Sequence, residues 1–212
     1  MDRFEFERGL WSRGVTRVAG VDEAGRGPLA GPVVAAAVIF PHAWAATGFD
    51  ERLRDLNDSK QLTERQREAF FLILTSDPAT RFAIAVVDAA TIDRINILQA
   101  THRAMNAALA QLQPPPEHVL VDGRPVKSMA FPNTALVKGD TRSYSIAAAS
   151  VLAKVTRDRM MLEFDAQFAG YGFAEHKGYG TPPHLAALAE RGPCPIHRRS
   201  FAPLKPVPGP LI

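Results

Sequence analysis

Residues 18–32 read Val-Ala-Gly-Val-Asp-Glu-Ala-Gly-Arg-Gly-Pro-Leu-Ala-Gly-Pro, and a second apolar run follows at residues 33–40. We predict two strands, residues 15–21 and 33–40, that form a hairpin with Asp22 and Glu23 at the end of its first strand. Neighbouring side chains on a strand point to opposite faces. The two acids can therefore share a metal ion only if the strand ends or bends at this point.

The loop between these strands has a composition that suits anions. Gly25 and Gly27 permit a bend, and without side chains they let a phosphate or nucleic-acid backbone come close. Exposed N–H groups in such a turn attract anions, and Arg26 adds a forked cation that suits phosphate. The same residues are also typical of an ordinary solvated hairpin loop, so this stretch alone does not identify a site.

Helices and strands alternate along the rest of the chain. Further strands are predicted at residues 81–87, 118–122 and 134–138, and helices at residues 63–76, 96–113, 146–168 and 182–190. This order predicts an α/β fold with a mixed five-stranded sheet flanked by helices. We expect a catalytic domain at residues 1–170. A small helical C-terminal appendage that contacts substrate, residues 171–212, would belong to the same compact unit.

The composition is that of a globular protein of 212 residues with a formal net charge of +3 and a pI of about 9.2. This mild basic excess fits a polyanionic partner without demanding one. The single cysteine, Cys194, excludes an internal disulfide and is predicted to be inert. The N-terminus lacks the apolar core of a signal peptide, and no apolar run is long enough to span a bilayer. We expect a cytoplasmic monomer without membrane association.

Acids recur at three predicted strand ends, where sites of open α/β sheets gather. They are Asp22 with Glu23, Asp122, and Asp140. Four carboxylates brought together would repel one another unless cations neutralise them, and hard oxygen ligands suit Mg²⁺ or Mn²⁺ rather than Zn²⁺. Two such ions about 4 Å apart can activate water and stabilise a leaving oxygen in phosphodiester cleavage. Each acid taken alone is equally typical of a turn.

Several longer motifs surround these acids. They are Asp-Glu-Ala-Gly-Arg-Gly-Pro (22–28), Asn-Asp-Ser-Lys (57–60), Lys-Gly-Asp (138–140) with Ser-Ile-Ala-Ala-Ala-Ser (145–150), His-Lys-Gly-Tyr-Gly-Thr (176–181), and His-Arg (197–198) with Ser-Phe (200–201). In this order, and over most of the chain, they resemble the ribonuclease HII family, and the short length resembles its bacterial type. The resemblance implies an RNase H-like fold and hydrolysis of the RNA strand of RNA–DNA hybrids.

The resemblance also implies a finer activity and individual roles. It implies cleavage on the 5′ side of a single ribonucleotide embedded in duplex DNA, leaving 5′-phosphate and 3′-hydroxyl ends, as part of ribonucleotide removal during DNA replication and repair. The implied ligands of two Mg²⁺ or Mn²⁺ ions are Asp22, Glu23, Asp122 and Asp140. Gly25, Arg26 and Gly27 would read the ribonucleotide's 2′-hydroxyl, which distinguishes RNA from DNA, and Tyr179 would pack on the sugar at the junction.

Other motif residues have open roles. Lys60 and Lys177 lie in motif loops where phosphate contact is expected, although most lysines are solvated surface charges. Asp158 is predicted to form an ion pair, or to support a metal ligand, rather than to bind metal itself. His176 and His197 fit a structural role, a phosphate contact or a proton shuttle.

Two rival functions remain open on the sequence. One is a metal-dependent nuclease of the same fold that cuts DNA and needs no 2′-hydroxyl reader. The other is an inactive hybrid-binding protein, which four carboxylates argue against, because acids beside a phosphate weaken binding unless metal ions bridge them.

Overall fold

The computed structural model describes residues 3–205 as an α/β fold built on one sheet. The strands are β1 (Val18–Ala24), β2 (Val33–Ile39), β3 (Arg81–Val87), β4 (His118–Asp122) and β5 (Asn133–Leu136). The helices are α1 (Glu5–Trp11), α2 (Trp44–Thr47), α3 (Glu64–Ser76), α4 (Ala89–Gln111), α5 (Gly139–Arg142), α6 (Tyr144–Gln167), α7 (Phe173–His176) and α8 (Pro182–Arg191), with a short 3₁₀ turn at Glu51–Leu53. The predicted mixed five-stranded sheet flanked by helices is confirmed.

The strand order β3-β2-β1-β4-β5 places the hairpin beside the later strands. β1 pairs antiparallel with β2 and parallel with β4, with Val21 opposite Val121. Parallel neighbours end at the same edge of a sheet. Asp22 and Asp122 each follow one member of this pair, so the topology sets their carboxylates side by side.

Helices cover both faces of the sheet, with α6 on one face and α4 on the other. Gly20 of β1 permits the close approach of α6, because a Cβ there would lie 2.2 Å from the carbonyl carbon of Ser145. The first turn of α6, which follows Asp140 by only a few residues, is therefore held against β1. In the part of the chain that the structure describes, no helix combines the length and apolarity needed to cross a membrane.

Several predicted boundaries are wrong. β1 runs three residues further than predicted and keeps regular pairing through Ala24 opposite Val34. Its predicted start is also early, because the N–H groups of Thr16 and Arg17 bond to the Glu117 carboxylate rather than to a strand.

The second long helix also starts earlier than predicted. α4 begins at Ala89 behind an Asp88 cap, and Asn96 lies inside it at a kink with φ of 64°. The Asn96 side chain still accepts a hydrogen bond from the N–H of Gln99, so the cap was identified but the preceding turns were missed. The sequence reading also missed α1. The division into residues 1–170 and 171–212 stays a prediction, and the tail from Pro206 lies outside the described residues.

Candidate active site

Three carboxylates converge where β1 and β4 end and α5 begins. One oxygen from each of Asp22, Asp122 and Asp140 lies within 4.8 Å of the others, and Asp22 and Asp140 are buried. The N–H of Glu23 donates to Asp22 Oδ1 and the N–H of Gly139 donates to Asp122 Oδ1, both at 2.7 Å. These backbone bonds orient Asp22 and Asp122. The three acids converge as predicted, but Asp140 lies in α5 rather than at a strand end, because β5 already ends at Leu136.

Burial and nearby negative charge raise the pKa values of Asp22 and Asp140. Burial raises the pKa of Asp22 well above its usual range, and the charges of Glu23 and Asp122 raise it further. Burial, followed by the charges of Asp122 and Asp58, raises the pKa of Asp140 to about 6. Within residues 3–205 none of the three forms an ion pair with a lysine or arginine. A compact set of repelling carboxylate oxygens fits a hard divalent cation.

The fourth predicted ligand, Glu23, is not part of this group. β1 stays regular through both acids, with Asp22 opposite Ala36 and Glu23 opposite Ala35, so the two side chains start on opposite faces. The Glu23 carboxylate lies 3.1 Å from Nη1 of Arg26. Glu23 nevertheless lines a cleft together with Asp122 and Arg124.

The N-terminal helix α1 supports the turn that carries Asp140. Nη2 of Arg3 donates to the Asp140 carbonyl at 2.9 Å. Oε1 of the buried Glu7 accepts from the Ser143 hydroxyl at 2.6 Å and from the N–H of Ser145 at 3.2 Å. The sequence reading missed this support, although Glu7 lies between apolar residues that become buried.

Glu23 is also one of the residues that line a groove of about 250 Å³. The groove brings together five of the predicted substrate-binding residues: Gly25, Arg26, Gly27, Lys60 and Tyr179. The Tyr179 ring is 47% exposed, and a Cβ on Gly27 would lie only 3.6 Å from its Cε1 atom. The glycine turn and the ring therefore form adjoining parts of one surface.

The groove also contains residues to which the sequence reading gave no role. Lys154 lies in its wall with its ammonium 2.7 Å from Asp158, which confirms the predicted ion pair of Asp158. In the same wall, the hydroxyl groups of Ser59 and Ser150 form a hydrogen bond of 2.9 Å. Both serines lie within the motifs quoted above, and this was the sequence signal that could have indicated their place in the groove.

Lys177 is not brought to the groove. Its backbone is left-handed, with φ of 51°, and its ammonium donates to the Ala174 carbonyl at the end of α7. Its role in substrate binding stays a prediction.

The histidines lie behind the Tyr179 loop. Nε2 of His184 lies 3.1 Å from Nε2 of His197, while Nδ1 of His184 contacts the Tyr179 carbonyl at 2.8 Å. Burial, followed by the charge of His184, lowers the pKa of His197 to about 4. His176 stacks on His184 with ring centroids 4.4 Å apart. This packing supports the structural interpretation of His176 and His197.

The raised pKa of Asp140 predicts how stability depends on pH without metal. A carboxyl with a higher pKa in the folded state favours folding when protonated, so this contribution is lost as pH rises through about 6. We expect the parent to lose more unfolding free energy than Asp140→Asn between about pH 4.5 and about pH 8 in a chelator. Denaturant titrations at both pH values measure this. Equal losses in the two proteins would contradict the assigned electrostatic strain.

The geometry can be compared with known proteins. A family model described as Ribonuclease HII matches residues 19–204. A protein of Geobacter metallireducens named Ribonuclease HII is 54% identical over 206 residues, covering 94% of this chain and 93% of that protein.

Solved structures match as well. The ribonuclease H2 of Pyrococcus horikoshii has a TM-score of 0.70 and 30% identity, covering 89% of this chain and 95% of that one. The structure of Bst-RNase HIII in complex with Mn²⁺ has a TM-score of 0.65 over 90% of this chain and 68% of that one, and at 19% identity it shows likeness of fold alone.

Proposed function

Because the chain belongs to the ribonuclease HII family, we propose that this ribonuclease H cuts on the 5′ side of single ribonucleotides embedded in duplex DNA. Ribonuclease H activity on RNA–DNA hybrids follows from the family itself. The finer activity would leave 5′-phosphate and 3′-hydroxyl ends and would serve ribonucleotide removal from DNA. One observation carries the proposal: the glycine turn and Tyr179 adjoin in a groove that Glu23, the chain neighbour of Asp22, also lines.

Asp22, Asp122 and Asp140 are proposed to hold divalent metal, with Glu23 joining them after its carboxylate leaves Arg26. The proposed ions are two Mg²⁺ or Mn²⁺, and the manganese complex of a protein with the same fold supports this choice. When bound, such ions activate water and stabilise the leaving oxygen. The pairing of β1 with β4 brings Asp22 and Asp122 together. The N–H groups of Glu23 and Gly139 orient the Oδ1 atoms of these two acids.

Sugar recognition is assigned to the turn Gly25–Gly27 and to Tyr179. Gly25 adopts φ of 94°, a left-handed conformation that favours glycine, and a Cβ there would lie 2.1 Å from Nε of Arg157, so only glycine lets the turn pack on this side chain. Backbone groups of a turn that lines the groove can form a hydrogen bond with a 2′-hydroxyl, the group that DNA lacks. The exposed Tyr179 ring offers a flat apolar surface to the sugar at the junction.

The substrate comparison that tests this uses two duplexes of identical sequence, one all-DNA and one with a single ribonucleotide. We expect cleavage of the second alone, with product ends mapped to the 5′ side of the ribonucleotide. Equal cleavage of both duplexes would favour the rival DNA nuclease, and binding without cleavage in Mg²⁺ would favour the hybrid-binding protein.

Residues 171–205 are proposed to work as a substrate-contacting appendage of the catalytic domain. The N–H of Leu29 donates to the Gly178 carbonyl at 2.8 Å, and the N–H of Arg198 donates to the Leu29 carbonyl at 2.8 Å. These bonds hold the appendage on the β1–β2 loop, so the two parts present one groove. We also propose that the enzyme acts as a monomer, because every group assigned to the groove comes from one chain.

Lys60 is proposed to contact phosphate. Its side chain is 80% exposed in the groove wall. Partial desolvation of its ammonium opposes charging, but Asp58, Asp22, Asp140 and Asp122 together raise the pKa of Lys60, so it stays charged. Lys60→Ala should weaken binding of hybrid and single-ribonucleotide duplex alike, and should reduce the slope of log affinity against log salt by about one.

Salt titrations of binding in Ca²⁺ measure this effect. Arg81→Ala is the matched control, because Arg81 is an exposed cation at the opposite end of the sheet. A loss confined to one substrate would show that Lys60 reads the sugar instead. Lys177→Ala, measured beside it, tests whether the ammonium that caps α7 also reaches phosphate.

A further inference from the structure

Two buried arginines, one of which lines the groove, have no carboxylate partner in the described part of the chain. Arg157 of α6 is 1% exposed and Arg198 is 0% exposed. Within residues 3–205 neither guanidinium forms an ion pair, and their hydrogen-bond partners are all backbone carbonyls. A buried cation without a counter-ion is costly unless its donors are satisfied. Backbone carbonyls satisfy the donors of both guanidinium groups but supply no opposite charge. The desolvation of the two charges therefore stays costly, and this indicates a role beyond packing.

Arg198 binds the β1–β2 loop from behind. Nε donates to the Gly31 carbonyl at 3.0 Å, and Nη1 donates to the Arg26 carbonyl at 3.0 Å. Nη2 donates to the carbonyls of Gly25 and Pro32. One side chain thus fixes four peptide groups of this loop.

Arg157 joins the same loop to the segment that carries Tyr179. Nε donates to the Pro32 carbonyl at 2.9 Å, and Nη2 donates to the Ala30 carbonyl at 3.1 Å. Nη1 donates to the Lys177 carbonyl at 3.0 Å, two residues before the ring. Together with the bond from the N–H of Leu29 to the Gly178 carbonyl, this guanidinium therefore sets the spacing between the turn and the ring.

These bonds decide which way the glycine turn faces. In a trans peptide the C=O and the following N–H point in opposite directions. Because the carbonyls of Gly25 and Arg26 point to Arg198, the N–H groups of Arg26 and Gly27 point away from it. In the described part of the chain neither N–H has a hydrogen-bond partner. Two free N–H donors suit an oxygen of a bound nucleic acid.

We propose that Arg157 and Arg198 are positioning residues for sugar recognition: they hold the turn with these N–H groups available to the substrate, at a fixed distance from Tyr179. This rests on the proposed function, in which the turn reads the 2′-hydroxyl. Burial, followed by the charge of Arg157, lowers the pKa of Arg198 to about 9, so the guanidinium keeps its donors at neutral pH.

The test measures preference for a ribonucleotide separately from overall binding. Dissociation constants are measured in Ca²⁺ for an all-DNA duplex and for the same duplex with one ribonucleotide, and their ratio is the preference. Arg198→Lys keeps the buried charge but cannot reach four carbonyls. We expect it to lower the preference roughly fivefold, while the affinity for all-DNA duplex changes less than about twofold.

Arg157→Lys should produce a different pattern. Because Arg157 ties the loop to Tyr179, kcat/KM should fall about fivefold more on the single-ribonucleotide duplex than on a long hybrid, which has no junction at most positions. Arg159→Lys is the matched control, since Arg159 lies on the same helix and pairs with Glu68 at the surface. Arg159→Lys should change neither the preference for the ribonucleotide in binding nor the ratio of kcat/KM between the two substrates.

The outcomes separate the two levels of inference. If the parent itself shows no preference for the ribonucleotide, the proposed function has failed. If the parent prefers it and folded Arg198→Lys and Arg157→Lys keep both the preference and the substrate ratio, the arginines are merely structural and this inference is overturned. If a variant binds the all-DNA duplex and the single-ribonucleotide duplex more weakly by the same factor, the inference is also overturned, because the defect is then not specific to the ribonucleotide. Circular dichroism establishes that each variant is folded, and Arg157→Lys carries the test if Arg198→Lys fails to fold.

Discussion

Asp22→Asn should abolish cleavage while leaving the fold intact. Asp22 is a buried member of the carboxylate group and comes from the central strand of the sheet. An amide keeps its shape but removes one of the charges that would bind divalent metal, and metal contributes several kcal/mol to such reactions. We expect turnover in Mg²⁺ to fall at least roughly a thousandfold on hybrid and on single-ribonucleotide duplex.

The same variant has an effect on stability that distinguishes a metal site from a structural acid. Since burial and repulsion raise the pKa of Asp22, the charged form is disfavoured in the folded protein. Without metal, Asp22→Asn should therefore be at least as stable as the parent at neutral pH. Mg²⁺ should stabilise the parent more than the variant, as thermal unfolding would show. Glu163→Gln, an exposed position on α6, is the control for a neutral amide substitution.

Near-normal turnover by Asp22→Asn would refute the metal assignment. Lost turnover together with lost hybrid binding in Ca²⁺ would point to damage of the groove instead. Asp122→Asn provides the second case, because its carboxylate belongs to the same group but comes from the neighbouring strand β4.

The acids could be predicted from the sequence because their positions depend on local patterns. Apolar runs that end in Asp22 and Asp122 identify two strands, and parallel strands that are neighbours bring their ends together. The direction of Glu23 depends on something the pattern does not contain. The glycines after it permit an early bend, yet the pairing with β2 keeps β1 regular until Ala24.

The buried arginines could not be predicted for a different reason. In a sequence, Arg157 beside Asp158 and Arg198 beside Arg199 have the pattern of solvated surface charges. Their burial arises from contacts with a loop more than 120 residues away in the chain, as the separation of 125 residues between Arg157 and Pro32 shows. Backbone carbonyls, which every residue possesses, supply the partners, so no side-chain motif marks them. The sequence likewise did not indicate that the Lys177 ammonium lies on the Ala174 carbonyl and not in the groove, because this depends on the left-handed backbone of Lys177.

Tyr179→Ala should selectively impair cleavage at a single embedded ribonucleotide. The ring is half exposed beside Gly27, and Gly178 and Gly180 flank it. Stacking of an aromatic ring in nucleic-acid binding contributes about 1–3 kcal/mol. Its loss should therefore lower kcat/KM on a single-ribonucleotide duplex by roughly ten- to a hundredfold.

Tyr179→Phe is the matched control, because it keeps the ring and removes only the hydroxyl, and it should retain most of the activity. Both variants should bind metal as the parent does, since the three converging acids lie on β1, β4 and α5 rather than on this loop. The measurement compares kcat/KM on the single-ribonucleotide duplex and on a long hybrid at saturating Mg²⁺, where the loss should be smaller. If Tyr179→Ala cuts the single-ribonucleotide duplex as fast as the parent, the ring is structural. Junction recognition would then have to come from another residue of the groove.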